Sequence, residues 1–239
     1  MKRIIGLVIV LILAIGALFY VASYKDYYQY ISYGDSITAY DGHLFPDDTV
    51  CAGYQRYVLE DFGYDRYLNV SVAGATLTRS DESYSLLPDI LSTDNRNAKI
   101  CTILLGTNDY YRDLPIGKLV TDGNNYDEYT FIGAYQTAIE HILNDNSKVK
   151  LILITPPVRS WTGGDTSNKN SLGYSLEDYV NAIIEVGEYY NLPVCDLYHN
   201  CGITEDNLNE YTIDGLHPNN EGHALIGEFI SRFIRELNY

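Results

Sequence analysis

Five short apolar runs, each cut off by glycine, proline or a turn residue, constrain this chain more than any other feature. They are Ile31–Gly34, Tyr67–Val72, Lys99–Leu105, Val149–Ile154 and Leu192–Leu197. Runs this short fit strands, and their near-continuous hydrophobicity fits strands buried on both faces. Between them lie stretches with apolar residues three and four apart, which predict helices. One runs from Tyr54 to Phe62 and is stopped by Gly63. Another, Tyr126–Leu143, carries Phe131, Tyr135, Ala138, Ile139, Ile142 and Leu143 on one face. A third is capped by Ser175 and runs to Tyr190, with Asp178 placed for a capping box. The last begins at Pro218 and shows Leu225, Ile226, Phe229, Ile230, Phe233 and Ile234. Strand and helix in alternation predict an α/β fold with a parallel sheet covered on both faces. The chain contains no internal repeat and no sign of a second globular domain.

The N-terminus carries a targeting signal. Lys2 and Arg3 precede an uncharged run from Ile4 to Ala22, which as a helix is about 28 Å long, close to the hydrocarbon thickness of a bilayer. Residues 1–23 are therefore expected to be an apolar helix that anchors the chain in a membrane. Cleavage as a signal peptide near Val21-Ala22-Ser23 is the alternative. Either way residues 24–239 form an exported domain, tethered or secreted. That compartment permits disulfides. Cys195 and Cys201 are candidates for a small-loop bridge, whereas Cys101 reads as a buried free thiol. No cysteine or histidine spacing indicates a metal site. The balance of 16 basic against 32 acidic residues gives a net charge of −16. Such a surface repels phosphate backbones, so nucleic acid is excluded as a partner.

Reactive groups in open α/β sheets gather beyond the carboxyl ends of the strands. Ser36 stands there, just after Gly34-Asp35 closes the first strand. A serine hydroxyl needs a base, a group to orient that base, and donors for the oxyanion. Asp214-Gly215-Leu216-His217-Pro218 can supply the first two, because a carboxylate three residues before a histidine reaches its Nδ1. Gly74 ends the second strand, where a backbone N–H can approach substrate closely. Asn108 ends the third and offers an uncharged carboxamide donor. His43, His141, His199 and His223 are weaker bases, each without an acid three residues earlier on a predicted loop. Asp35 and Asp109 read as braces of their loops. Tyr110, Tyr111 and Trp161 lie just beyond strand ends and are candidate substrate contacts. The polar, glycine-bearing segment 158–173 is a candidate substrate loop.

Gly34-Asp35-Ser36-Ile37, Gly74, Gly106-Thr107-Asn108-Asp109 and Asp214-Gly215-Leu216-His217-Pro218, in that order, resemble the four blocks of the SGNH (GDSL-like) hydrolases over residues 29–236. The resemblance implies a three-layer, flavodoxin-like fold with a five-stranded parallel sheet. It also implies ester hydrolysis through an acyl-serine, without metal or cofactor. Ser36 would be the nucleophile, His217 the base and Asp214 its partner. The backbone N–H of Ser36 would join Gly74 and Asn108 in the oxyanion hole. Isoleucine follows Ser36 where the family's older name has leucine. Thr38 in place of a second glycine separates the chain from the α/β-hydrolases.

The expectation is an extracytoplasmic serine esterase acting on small acyl esters, acetyl above all, on a small-molecule or glycan substrate. A lysophospholipase or thioesterase is the alternative within the same chemistry, and a catalytically silent glycan-binding protein the alternative outside it.

Overall fold

The structure, a computed structural model, describes residues 28–160 and 168–237. In chain order its elements are β1 (Tyr30–Gly34), α1 (Ser36–Ala39), α2 (Gln55–Phe62), β2 (Tyr67–Ser71), α3 (Leu87–Ser92), β3 (Ile100–Leu104) and α4 (Thr107–Tyr111). They continue with α5 (Phe131–Asp145), β4 (Lys150–Ile154), α6 (Leu176–Tyr190), β5 (Val194–Cys195), α7 (Leu197–Asn200), a 3₁₀ turn (Glu205–Asn207), α8 (Leu208–Tyr211) and α9 (Asn220–Glu236). The expected anchor over residues 1–23 lies outside the described residues, and among the described residues no helix is long and apolar enough to cross a membrane.

All five strands run parallel, in the order β2-β1-β3-β4-β5. Strand residues alternate between two cores. Ile31, Tyr33, Cys101, Ile103, Leu151 and Leu153 face α3, α5 and α6. Tyr30, Ile100, Leu104, Ile152, Ile154 and Cys195 face α2 and α9. The three layers expected from the sequence are these two helical faces and the sheet between them.

The sheet order matters most for the site. The chain leaves β1 toward β2 on one side, then returns past β1 to build β3 on the other. The carboxyl ends of β1 and β3 thus flank the point where the winding reverses, and the connections leaving them diverge to open a crevice.

Predicted and observed strands agree closely, with the exception of the fifth. It stops at Cys195 because the Asp196 side chain accepts the His199 N–H and starts α7. Two helices begin later than their periodicity predicts. The one expected from Tyr126 starts at Phe131, where Thr130 Oγ1 accepts the Gly133 N–H and the backbone at Asp127 folds back onto Gly133. The one expected from Pro218 starts at Asn220. There Thr212 and Pro218 form an antiparallel bridge, and Asn219 supplies the cap by accepting from Gly222 N–H. The capping box of Ser175 and Asp178 is present as expected, and Gly63 ends α2 in the left-handed conformation. Cys51, Cys101, Cys195 and Cys201 are all buried and free, so the bridge considered between Cys195 and Cys201 is not formed. Both thiols lie among the apolar side chains between the sheet and α9.

Candidate active site

Ser36 is the first residue of α1, directly beyond β1. Asp35 caps that short helix, its Oδ1 accepting the Ile37 N–H at 3.0 Å. Gly34 must be glycine, because a Cβ there would overlap the Thr38 hydroxyl. Thr38 is itself held from two sides, its carbonyl accepting from Gln55 Nε2 at 2.7 Å and from Asn69 Nδ2 at 3.0 Å. A rigid turn therefore presents Ser36, which is only 3% exposed.

His217 Nε2 lies 3.0 Å from Ser36 Oγ, across 181 residues of sequence. Its Nδ1 lies 2.7 Å from Asp214 Oδ2. The other carboxylate oxygen, Oδ1, accepts the backbone N–H groups of Leu216 at 3.0 Å and His217 at 2.8 Å. Partial burial opposes the charged form of Asp214, but the donors from His217 and Leu216 outweigh it and hold the carboxyl below its ordinary range. With Asp214 charged, Nδ1 keeps its proton and Nε2 is left to accept one from Ser36.

The loop that carries the pair is tied at both ends. Ile213 N–H donates to His217 O at 2.8 Å, Gly215 N–H donates to Thr212 Oγ1 at 2.9 Å, and Ser160 N–H donates to Gly215 O at 2.7 Å. Gly215 sits at φ +81°, and a Cβ on it would overlap Ser160 Oγ. Tyr40, which sequence reasoning did not single out, stacks on the His217 ring with centroids 5.1 Å apart and on His43 at 5.7 Å.

Donors gather beside Ser36. Gly74 follows β2 with φ +78°. Among the described residues neither its N–H nor that of Ser36 has a protein acceptor. Asn108 follows β3 and is 8% exposed, and its Nδ2 donates one hydrogen to Ala75 O at 3.0 Å. That bond orients the carboxamide and leaves its second hydrogen for another acceptor. Asp109 braces this region as expected. It is fully buried and accepts from Leu77 N–H, Thr78 N–H and the Thr78 hydroxyl. Burial raises its carboxyl, and the Thr78 and Leu77 donors oppose the shift.

The other sequence candidates are placed differently. Tyr110 is 3% exposed, donates to Asn168 O at 3.1 Å and packs edge-on against Tyr179. It belongs to the core and has no face left for substrate. Tyr111 is exposed, with the Arg159 guanidinium over its ring at 5.2 Å. Trp161, with residues 161–167 of the expected substrate loop, lies outside the described residues. His223 is fully buried in α9, and burial pulls it down to about 4, so it stays neutral. His199 corrects the reading of the histidines. Asp196 stands three residues before it, and its Oδ2 lies 2.7 Å from His199 Nδ1. Reading the fifth strand through to Leu197 concealed this pair, yet His199 Nε2 faces Glu177 Oε1 at 3.3 Å and not a hydroxyl nucleophile.

Asp35 bears on stability. It is completely buried, its Oδ2 has no hydrogen-bond partner, and desolvation pushes its carboxyl up from 3.8 to about 7. Between those two values the folded protein holds a proton that the unfolded chain has released. The stability contributed by this carboxyl is thus present below pH 3.8 and lost as pH rises through 7. Asp35→Asn cannot titrate, so its stability relative to wild type should improve between pH 4 and pH 8, by at most about 4 kcal/mol. Urea unfolding across that range measures this. A difference that does not vary with pH would mean that Asp35 is charged in the fold at neutral pH.

A sequence model of the GDSL-like lipase/acylhydrolase family matches residues 32–225, the span from within β1 to α9 that holds every element of the site. The chain belongs to this family. Its members are ester-hydrolysing serine hydrolases, so the protein is an enzyme of that class. Solved structures agree with the assignment. A protein from Lactobacillus plantarum is 26% identical with a TM-score of 0.74, covering 88% of this chain and 98% of its own. A lipase/acylhydrolase from Enterococcus faecalis is 26% identical with a TM-score of 0.60, covering 87% of this chain and 96% of its own. An acetyl xylan esterase shares the fold at 20% identity and a TM-score of 0.55, covering 84% and 97%. No curated protein matches the sequence.

Proposed function

We propose that this GDSL-like hydrolase is an extracytoplasmic esterase that removes small acyl groups, acetyl foremost, from carbohydrate. The relay Asp214–His217–Ser36, at 2.7 and 3.0 Å, carries the chemical part of this reading. His217 takes the proton of Ser36 as the hydroxyl attacks the ester carbonyl. The N–H groups of Ser36 and Gly74 and the free hydrogen of Asn108 receive the oxyanion. The imidazolium, stabilised by Asp214, then gives its proton to the departing alcohol. An acyl-serine remains, and water activated by His217 releases it.

A cleft of about 390 Å³ opens beside His217, lined by Tyr40, His43, Leu44, Phe45, Pro46, Ile213 and Asp214. Because His217 protonates the leaving alcohol, the cleft on its side takes the leaving group. The exposed His43 ring beside the Asp214 carboxylate suits a sugar ring. The apolar wall of Leu44, Phe45, Pro46 and Ile213 supports the second reading, a longer acyl chain as in a lysophospholipid or acyl thioester. Export is supported by Lys2-Arg3 followed by the uncharged run Ile4–Ala22.

A fluorophosphonate probe, followed by a panel of esters, tests this. The probe should label wild type and not Ser36→Ala. Acetylated sugars should then be cleaved faster than lysophospholipids or long-chain thioesters. Labelling that persists in Ser36→Ala would remove Ser36 from its role, and a preference for long chains would establish the second reading.

A further inference from the structure

Carboxylates outnumber cations two to one in this chain, so each arginine should find an acidic partner readily. Arg56, Arg79, Arg96 and Arg235 do, pairing with Asp41, Glu128, Asp94 and Asp61. Arg112, Arg159 and Arg232 form no ion pair among the described residues; Arg232 lies over the Phe229 ring on α9, whereas Arg112 and Arg159 stand at the candidate active site.

Arg159 follows β4 and is half-buried. Its Nη1 donates to Thr107 Oγ1 at 3.2 Å and to Thr107 O at 3.4 Å, one residue before Asn108. Its guanidinium lies over the Tyr111 ring, while its Nε is buried and has no hydrogen-bond partner. Desolvation pulls the guanidinium below its ordinary range, and the field of Tyr110, Tyr111, Asp35 and Asp214 opposes that. Neither aspartate is hydrogen-bonded to it. Ser160, the next residue, is the one tied to Gly215 in the His217 loop. Arg159 is thus held between the Asn108 and the His217 sides of the crevice.

Arg112 ends α4 and is exposed. Its Nη2 lies 3.9 Å from the position a Cβ would take on Gly74. One guanidinium therefore borders Gly74 and the other borders the turn that carries Asn108. Guanidinium forks match planar and tetrahedral oxyanions.

We propose that Arg159 and Arg112 form an anion subsite beside the oxyanion donors, which selects acyl esters of acidic sugars over neutral ones. The group recognised is a carboxylate or a phosphate on the sugar. This rests on the esterase reading above and narrows its substrate class. It also explains how a strongly acidic protein admits a negatively charged substrate, since the local field at the crevice is set by the nearest charges and the distant ones are screened.

The test compares kcat/KM for acetylated glucose, acetylated glucuronic acid and acetylated glucose 6-phosphate. Wild type, Arg159→Gln and Arg112→Gln are measured at low and high salt, with Ser36→Ala as the control for enzymatic turnover. Wild type should prefer at least one charged sugar by roughly tenfold at low salt, the yield of one charge-assisted hydrogen bond. The preference should shrink with salt and with each glutamine variant, and the favoured sugar identifies the anion. Arg112 is exposed, so its variant carries the test even where Arg159→Gln disturbs folding. A charged-to-neutral ratio near one in wild type, or a ratio unchanged in Arg112→Gln and in folded Arg159→Gln, would overturn the subsite alone. Absence of Ser36-dependent hydrolysis of all three sugars would overturn the subsite together with the carbohydrate-esterase reading.

Discussion

Ser36→Ala is expected to lower kcat on p-nitrophenyl acetate by roughly 10⁴- to 10⁶-fold while leaving the fold intact. The hydroxyl is the atom that would attack, and its hydrogen-bond partner is His217 Nε2 at 3.0 Å. Its removal takes away one polar atom that no strand or helix uses, so stability should change by less than about 1 kcal/mol. The donors at Ser36 N, Gly74 N and Asn108 Nδ2 remain, and they set the floor below which the rate does not fall. Thermal unfolding beside steady-state kinetics separates the two effects. A variant that kept more than a tenth of wild-type turnover would place the nucleophile elsewhere.

His217→Ala should cost about as much, again roughly 10⁴- to 10⁶-fold, and the double variant Ser36→Ala/His217→Ala little more than either single one. A serine without its base and a base without its serine are equally idle, so the losses do not multiply. The His217 loop itself should survive the change, since Asp214 Oδ1 still accepts from the backbone of residues 216 and 217. Multiplying losses in the double variant would show that the two residues act in separate steps.

Much of this candidate site is legible in the sequence alone. Ser36, Gly74 and Asn108 each follow an apolar run, and a residue just past a strand is fixed in space by the strand. Asp214 and His217 were legible for another local reason, since three residues on a turn bring a carboxylate to an imidazole. Helix starts were less so. Tyr126 and Pro218 satisfy the periodicity of α5 and α9, yet Thr130 and Asn219 take the caps because the preceding chain is held by tertiary contacts. Tyr110 illustrates the limit most sharply. Its position beyond β3 suggested a substrate contact, but the first turn of α4 points it into the core against Tyr179.

By itself the sequence determined the first four strands, the apolar faces of the longer helices and the residues at the strand ends, because these depend on spacing and on turn chemistry within a few residues. Only the tertiary structure decided which of those ends meet. The order β2-β1-β3-β4-β5 puts the reversal of winding between Ser36 and Asn108. The bridge of Thr212 to Pro218 and the tie from Ser160 to Gly215 then bring His217 back to Ser36. The same folding sets Arg112 beside Gly74 and Arg159 beside Thr107, two placements that no local pattern encodes because each joins segments far apart in the chain.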